Sequence, residues 1–305
     1  MQSHISGEVR GCSSPEFMPV YRPAGGAKMV AFGRWIDAHG HLADQRWDGQ
    51  QAEIIESAQA KGIHFFMQGG VGPEDWERQR VLKSRFPHHI GLCYGVHPYW
   101  VASHTDEELE EAINLLAQEL PEAMGLGEVG LDFRPHIMKD SQERQITAFE
   151  EQLELSHIAS RPLVLHLVQA HEQALTIMDL FGLPPQKGMV HSFNGSWGKA
   201  QDFLKRGLHL SVGGPVCRED NQKLHQAVRE IPLEFLLIES DSPDQGPPAY
   251  QGRLNPPESI WEVAKTIGKL KSLDPLEILD ITTGNFRRLF GSTDTILEGP
   301  KDSVH

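Results

Sequence analysis

The sequence predicts a closed (β/α)8 barrel of the TIM type, carried as a single α/β domain, on three observations. Between residues 34 and 290, short apolar runs alternate eight times with longer stretches of helical periodicity, the pattern of strand and helix units that builds a parallel sheet. The span matches the about 250 residues that such a barrel takes. No Gly-x-Gly-x-x-Gly follows the first apolar run, which removes the main support for an open dinucleotide-binding sheet.

Taken in order, the first strand is expected over residues 34–37, running into Asp37-Ala38-His39-Gly40-His41, with a helix over 49–61. The second strand (63–68) is followed by a helix over 76–86. The third (90–95) leads into Gly95-Val96-His97-Pro98 and a helix over 107–120. The acidic run 106–111 reads as the solvated start of that helix, favoured there by the helix dipole. The fourth strand (123–127) runs into Gly127-Glu128-Val129-Gly130-Leu131-Asp132 before a helix over 141–160. The fifth (163–166) and sixth (188–191) end on His166 and His191, with helices over 171–181 and 196–206. The seventh (208–212) and its helix (221–231) precede the eighth (235–239), which enters Glu239-Ser240-Asp241-Ser242-Pro243 before a last helix over 258–270. Residues 1–33 carry Gly, Ser and Pro without apolar periodicity and read as a flexible extension, with Met29 a candidate start, and residues 291–305 read as a loose tail.

In such a barrel the C-terminal strand ends converge on one mouth. His39, His41, Glu128, His166, His191 and Asp241, far apart in sequence, are therefore expected to meet there as a metal cage. Side chains alternate along a strand, so His-x-His puts both imidazoles on one side, able to grip one cation. Imidazole with carboxylate suits zinc, manganese or iron, whereas water-retaining carboxylate sites suit magnesium; the mixed set leaves the metal open. Singly, each residue has a plainer reading: His166 or His191 as a core histidine bonded to a carbonyl, and Asp241 or Asp132 as a cap. Their joint arrival at one barrel end favours the cage.

Apolar residues make up 39% of the chain and charged ones 23%, ordinary for a water-soluble protein. No run approaches the roughly 18 apolar residues of a membrane span, and the N-terminus lacks the order of a signal peptide, so a cytoplasmic location without membrane partners is expected. Cys12, Cys93 and Cys217 lie far apart in no CxxC pairing and read as incidental thiols. The net charge of −14 argues against holding nucleic acid through a broad basic face. A polyanionic substrate would be held locally, through bound cations.

These motifs closely resemble those of the TatD-like metal-dependent deoxyribonucleases, a branch of the amidohydrolase superfamily. The resemblance is carried by Asp37-x-His39-x-His41, Gly95-Val96-His97-Pro98, Gly127 to Asp132, His166, His191-Ser192-Phe193-Asn194-Gly195, Glu239 to Pro243 and Asn285 to Phe290. It implies a TIM-type barrel holding two divalent metal ions (Mg2+, Mn2+ or Zn2+), with Glu128 bridging them. His39, His41 and Asp241 would complete one metal, and His166 with His191 the other. It also implies hydrolysis of DNA phosphodiester bonds, with Asp241 as ligand and general base beside Glu128, and with His97 donating a hydrogen bond to phosphate or leaving oxygen. Single strands or strand ends suit the mouth better than duplex DNA, and operon-encoded protein partners are a further expectation. One departure stands out. Many members have His-x-Arg at the fifth strand, where this chain has His166-Leu167-Val168, so a cation that would meet phosphate is missing; Gln169 and His171 are candidate substitutes. Two alternatives remain open: hydrolysis of a small ester, amide or phosphoester by the same cage, and a non-catalytic accessory subunit that kept the barrel.

Overall fold

The computed structural model of the chain describes residues 34–291; the expected extension (1–33), with its Cys12, and the tail from residue 292 lie outside that range. Strands β1 (Trp35–Gly40), β2 (Ile63–Gln68), β3 (Ile90–Gly91), β4 (Cys93–Tyr94), β5 (Gly125–Asp132), β6 (Leu163–Val168), β7 (Gly188–Val190), β8 (His209–Val212) and β9 (Leu236–Ile238) form the barrel. Consecutive strands pair in parallel from β1 to β3 and from β4 to β9. All eight expected strands are found. The third is divided at Leu92 because it changes partner there: Ile90 and Gly91 pair with β2, Cys93 and Tyr94 with β5.

β9 and β1 share no ladder among the described residues, and side chains stitch the seam instead. Ser240 donates its N–H to Asp37 Oδ1 (2.8 Å) and its hydroxyl to Asp37 Oδ2 (2.5 Å). Just above, the Asp241 N–H reaches the His39 carbonyl (3.0 Å) and the His41 N–H reaches that of Ser242 (2.6 Å). Below, the Ile36 N–H donates to Thr283 Oγ1 at 3.2 Å. Helices pack against the outside of the sheet, and strands of a parallel barrel covered in this way read as apolar runs; β1 and β5 are buried along their whole length.

The outer layer comprises α1 (Gln51–Ala60), α2 (Pro73–Arg85), α3 (Pro98–Ser103), α4 (Asp106–Glu119), α5 (Pro135–Met138), α6 (Gln142–Ala159), α7 (His171–Phe181), α8 (Trp197–Leu204), α9 (Gln222–Glu230), α10 (Ile260–Lys271) and α11 (Pro275–Phe290). α4 illustrates the local code. Thr105 and Glu108 form a reciprocal capping box, the first turn is acidic and exposed as expected, and Leu109, Ala112 and Leu116 face the core. Short α3 and α5 follow strand ends and were not anticipated.

Nor was α11. Asp274 caps it, Pro275 sits at its first position, and Gly291, at φ 96°, stops it. Phe286, Leu289 and Phe290 pack with Ile36, Ala38, Phe65, Met67, Cys93, Val164, Met189 and Leu237 inside the barrel, so α11 closes the end opposite the mouth. Asn285 Nδ2 donates to the carbonyls of Leu233 and Leu236 (2.7 and 2.6 Å), fixing the plug to the start of β9. Neither Cys93 nor Cys217 is paired. Among the described residues, no helix is long and apolar enough to cross a membrane.

Candidate metal centre

Strand ends at the mouth are held by three buried glutamines that reach in from the helices. Gln79 of α2 donates to the Gly69 carbonyl (3.1 Å) and accepts from the Cys93 N–H (3.2 Å). Gln152 and Gln145 of α6 do the same for both backbone groups of Val96 and of Asp132. Satisfying these groups with fixed side chains rather than water keeps the backbone rigid where His97 and Glu128 emerge.

Glu128, on β5, lies at the centre. Its Oε1 faces Nε2 of His39 (3.5 Å) and of His41 (3.3 Å) from β1 and its end, and Asp241 Oδ1 lies 3.7 and 3.6 Å from the same two nitrogens. Its Oε2 faces His191 Nε2 (2.7 Å) and His166 Nδ1 (3.3 Å). The two carboxylate oxygens thus serve two separate imidazole pairs.

Several of these groups have a polar partner behind them. Asp132 Oδ2 lies 3.2 Å from His166 Nε2, which directs the proton there and leaves the Nδ1 lone pair for the centre. Arg134 in turn clamps the Asp132 carboxylate through Nε (3.0 Å to both oxygens) and Nη2 (2.6 Å). Glu239 Oε1 lies 3.7 Å from His191 Nδ1 and accepts the Ser192 N–H at 2.5 Å. Gln245 donates its amide to Asp241 Oδ2. His97 differs: its Nδ1 accepts the Tyr99 N–H at 2.9 Å, capping α3. A neutral ring with that nitrogen occupied as acceptor carries its proton on Nε2, which faces Glu128 Oε2 at 3.7 Å. In this arrangement His97 is set as a hydrogen-bond donor toward the centre, although it also stands with Glu128 and His166 in a group whose ligand atoms lie within 4.8 Å of one another.

Two observations fit the donor set to cations. His39 is fully buried, and neither of its ring nitrogens has a hydrogen-bond partner among the described residues, a cost of about 1–3 kcal/mol per unpaired group that ligation through one nitrogen relieves in part. A Cβ on Gly69 would stand 2.5 Å from His39 Cε1, 2.6 Å from His41 Cε1 and 2.7 Å from Glu128 Oε1, so glycine keeps this cradle open. The electrostatics agree. Burial raises the Glu128 carboxyl, but the charges of His191 and His39 and the hydrogen bond from His191 outweigh it and hold it well below the usual range. Asp241 is likewise held down against burial by the His41 hydrogen bond. Against the same burial, Asp241 and Glu128 lift His41 to about 9, and Glu128 lifts His191 well above its ordinary value. Two buried carboxylates demand positive charge here, and divalent cations meet that demand as protons do. Asp37, at the seam, is pushed up to about 8 by burial despite its Ser240 hydrogen bonds.

All six anticipated ligands and His97 come together at one barrel end. His39-His41-Asp241 and His39-Glu128-His191 each offer ligand atoms within 4.8 Å of one another. Several contributors escaped the sequence reading: Gly69, Glu239, Gln245, Arg134 and the glutamine clamps. Glu239 lay inside the quoted motif with Asp241, and Gly69-Gly70 ended a strand that carried no ligand, so signals existed for both. The two candidate substitutes for the missing cation fare differently. His171 is engaged with Asp202 of α8 at 3.1 Å, while Gln169 is exposed.

Residues 36–291 match the family model described as TatD related DNase. The uncharacterized metal-dependent hydrolase YabD of Bacillus subtilis is 32% identical over 255 residues, 84% of this chain and 98% of that one. A Citrobacter rodentium protein named 3'-5' ssDNA/RNA exonuclease TatD is 30% identical over 258 residues, 83% and 96% of the two chains. The crystal structure of YjjV, a TatD homolog from Escherichia coli, superposes with a TM-score of 0.78 at 28% identity and covers 85% of this chain and 98% of that one. With a match that runs the length of the barrel and takes in every residue of the cage, the chain belongs to the TatD-related DNase family, a family of metal-dependent hydrolases.

Proposed function

We propose that the protein hydrolyses phosphodiester bonds of DNA at the ends of single strands, with two divalent cations in this centre. The observation that carries the reading is the division of Glu128: Oε1 toward His39 and His41, Oε2 toward His166 and His191. One cation would be held by His39, His41, Asp241 and Glu128, the other by His166, His191 and Glu128. Bound there, Mg2+, Mn2+ or Zn2+ supplies Lewis-acid polarisation of water and of a phosphoryl oxygen. Asp241, fixed by Gln245 and beside His41, is the carboxylate that takes a proton from attacking water. His97 donates from Nε2 to a phosphate or leaving oxygen, its ring locked by the α3 cap. Asp132 keeps the His166 lone pair turned inward. The exonuclease name carried by the Citrobacter relative supports the substrate, and a barrel mouth admits a splayed strand more readily than a duplex.

The test is nucleotide release from single-stranded and duplex oligonucleotides of one sequence, with each metal in turn and with Glu128→Ala and Asp241→Ala as controls. Release from single strands, abolished in both variants, is expected. A folded, metal-loaded protein that releases nothing yet turns over small esters, amides or lactones would contradict the reading. The apolar Val168 and the net charge of −14 are what favour that second outcome.

A further inference from the structure

We propose that Tyr99 and Arg134 form a nucleotide subsite at the rim of the metal centre, Tyr99 stacking on a base beside the scissile bond and Arg134 meeting a backbone phosphate. The inference rests on the nuclease reading above.

Tyr99 sits in the first turn of α3, two residues after His97. Its ring centroid lies 4.5 Å from that of His97 and 5.9 Å from that of His166, both close to perpendicular. It is nevertheless 39% exposed. Among the described residues, Val81, Ile158, Leu180 and Leu254 are the other large apolar side chains so exposed, and Tyr99 is the one whose ring meets histidines of the centre. An aromatic ring left open to solvent beside a phosphate-directed cage is a stacking platform, and stacking accepts any base.

Arg134 follows β5 directly, and its guanidinium carbon lies 5.3 Å from the Tyr99 centroid. Nε and Nη2 are committed to Asp132, while Nη1 has no hydrogen-bond partner among the described residues and the side chain is 34% exposed. The fork is therefore pre-oriented, with one edge left for an anion. Its place in the fold matters. Asp132 pairs with Val168 across β5 and β6, and the Phe133 N–H bonds the Val168 carbonyl, so Arg134 stands two residues past the rung that Val168 leaves apolar. His171 is turned to Asp202 of α8 at 3.1 Å. In a chain of net charge −14, a fixed cation next to the cage is the local means of holding a phosphate backbone.

The alternative role, that Arg134 only braces Asp132 and Tyr99 only packs on His97, makes different predictions. KM and kcat are measured on single strands with either a normal or an abasic residue flanking the scissile bond. Kd is measured by anisotropy on phosphorothioate-linked strands with the metal-loaded protein. Tyr99→Leu is expected to raise KM and Kd about tenfold on the normal strand, with little further rise on the abasic strand, which wild type already binds weakly; Tyr99→Phe restores the wild-type values. Arg134→Gln is expected to weaken binding and to lower the slope of log Kd against log salt by about 0.7, one phosphate contact on a single strand, with Arg134→Lys recovering the slope. Equal losses on normal and abasic strands, or a wild-type salt slope in Arg134→Gln, would overturn the subsite while leaving the nuclease reading intact. A wild-type protein that neither binds nor cleaves any strand would remove both.

Discussion

Replacing Gly69 with alanine adds one methyl group, and the structure says where it goes. The new Cβ would lie 2.5–2.7 Å from His39 Cε1, His41 Cε1 and Glu128 Oε1, against the about 3.5–4.0 Å at which non-bonded carbons rest. The three groups must retreat by about 1 Å; His41 is partly open, but His39 is 0% and Glu128 2% exposed, so those two have no free space to enter. Gly69 does not occupy the left-handed region, so the collision alone is being tested. Overpacking of this kind costs about 1–3 kcal/mol, or a fall in Tm of about 2–4 °C per kcal/mol. A 1 Å displacement of reacting groups costs on the order of 10²-fold in rate. Nucleotide release and bound metal are the assays. Gly198→Ala in α8 is the control, because its Cβ would meet nothing nearer than 4.0 Å. Wild-type activity and metal content in Gly69→Ala would refute the cradle.

Three further outcomes follow from the same structure. Asp132→Asn, which loosens the orientation of His166, should weaken metal binding about 10–100-fold in a chelator competition; unchanged affinity would mean the pair does not aim the ligand. Phe286→Ala, which empties part of the plug under the barrel, should cost about 3–5 kcal/mol in urea unfolding, and a loss under about 1 kcal/mol would show that α11 does not seal the core. His209 is held below its ordinary 6.5 by burial, helped by the charge of Arg288. The unfolded chain therefore binds a proton at this residue that the folded chain resists. Its contribution to stability is full above 6.5 and is lost as pH falls below that value, so between about pH 7.5 and pH 5.5 the wild type should lose more stability than His209→Gln. Parallel declines would count against that role for His209.

How much of this was legible in the sequence varied with the physics of each element. The eight strands were visible because most of their length is buried on both faces, which gives each an apolar run. β5 was cut short at Gly127, since Gly127 and Gly130 read as a turn. In fact both glycines lie within the strand at φ 156° and 143°, where a Cβ would strike the Val164 and His166 carbonyls. They let β6 approach and place Glu128 and Asp132 on the strand itself. α11 escaped because part of its buried surface is polar: Thr283 and Asn285 bond to strand backbone, which no hydrophobic period reports. The cluster of candidate ligands was readable because each residue stood at or just past the end of an apolar run. The partners behind it were not. Asp37 and Ser240, 203 residues apart, become neighbours only when the barrel closes, and the clamp of Arg134 on Asp132 depends on a side-chain path that spacing does not encode.

The central claim is that Glu128 joins two cations, and metal counting tests it most directly. Protein loaded with Mn2+ and freed of excess should carry two ions per chain with an exchange-coupled paramagnetic spectrum, and Glu128→Ala, still folded by circular dichroism, should lose both the coupling and at least one ion. One ion per chain in the wild type, or an unaltered ratio and spectrum in Glu128→Ala, would contradict it.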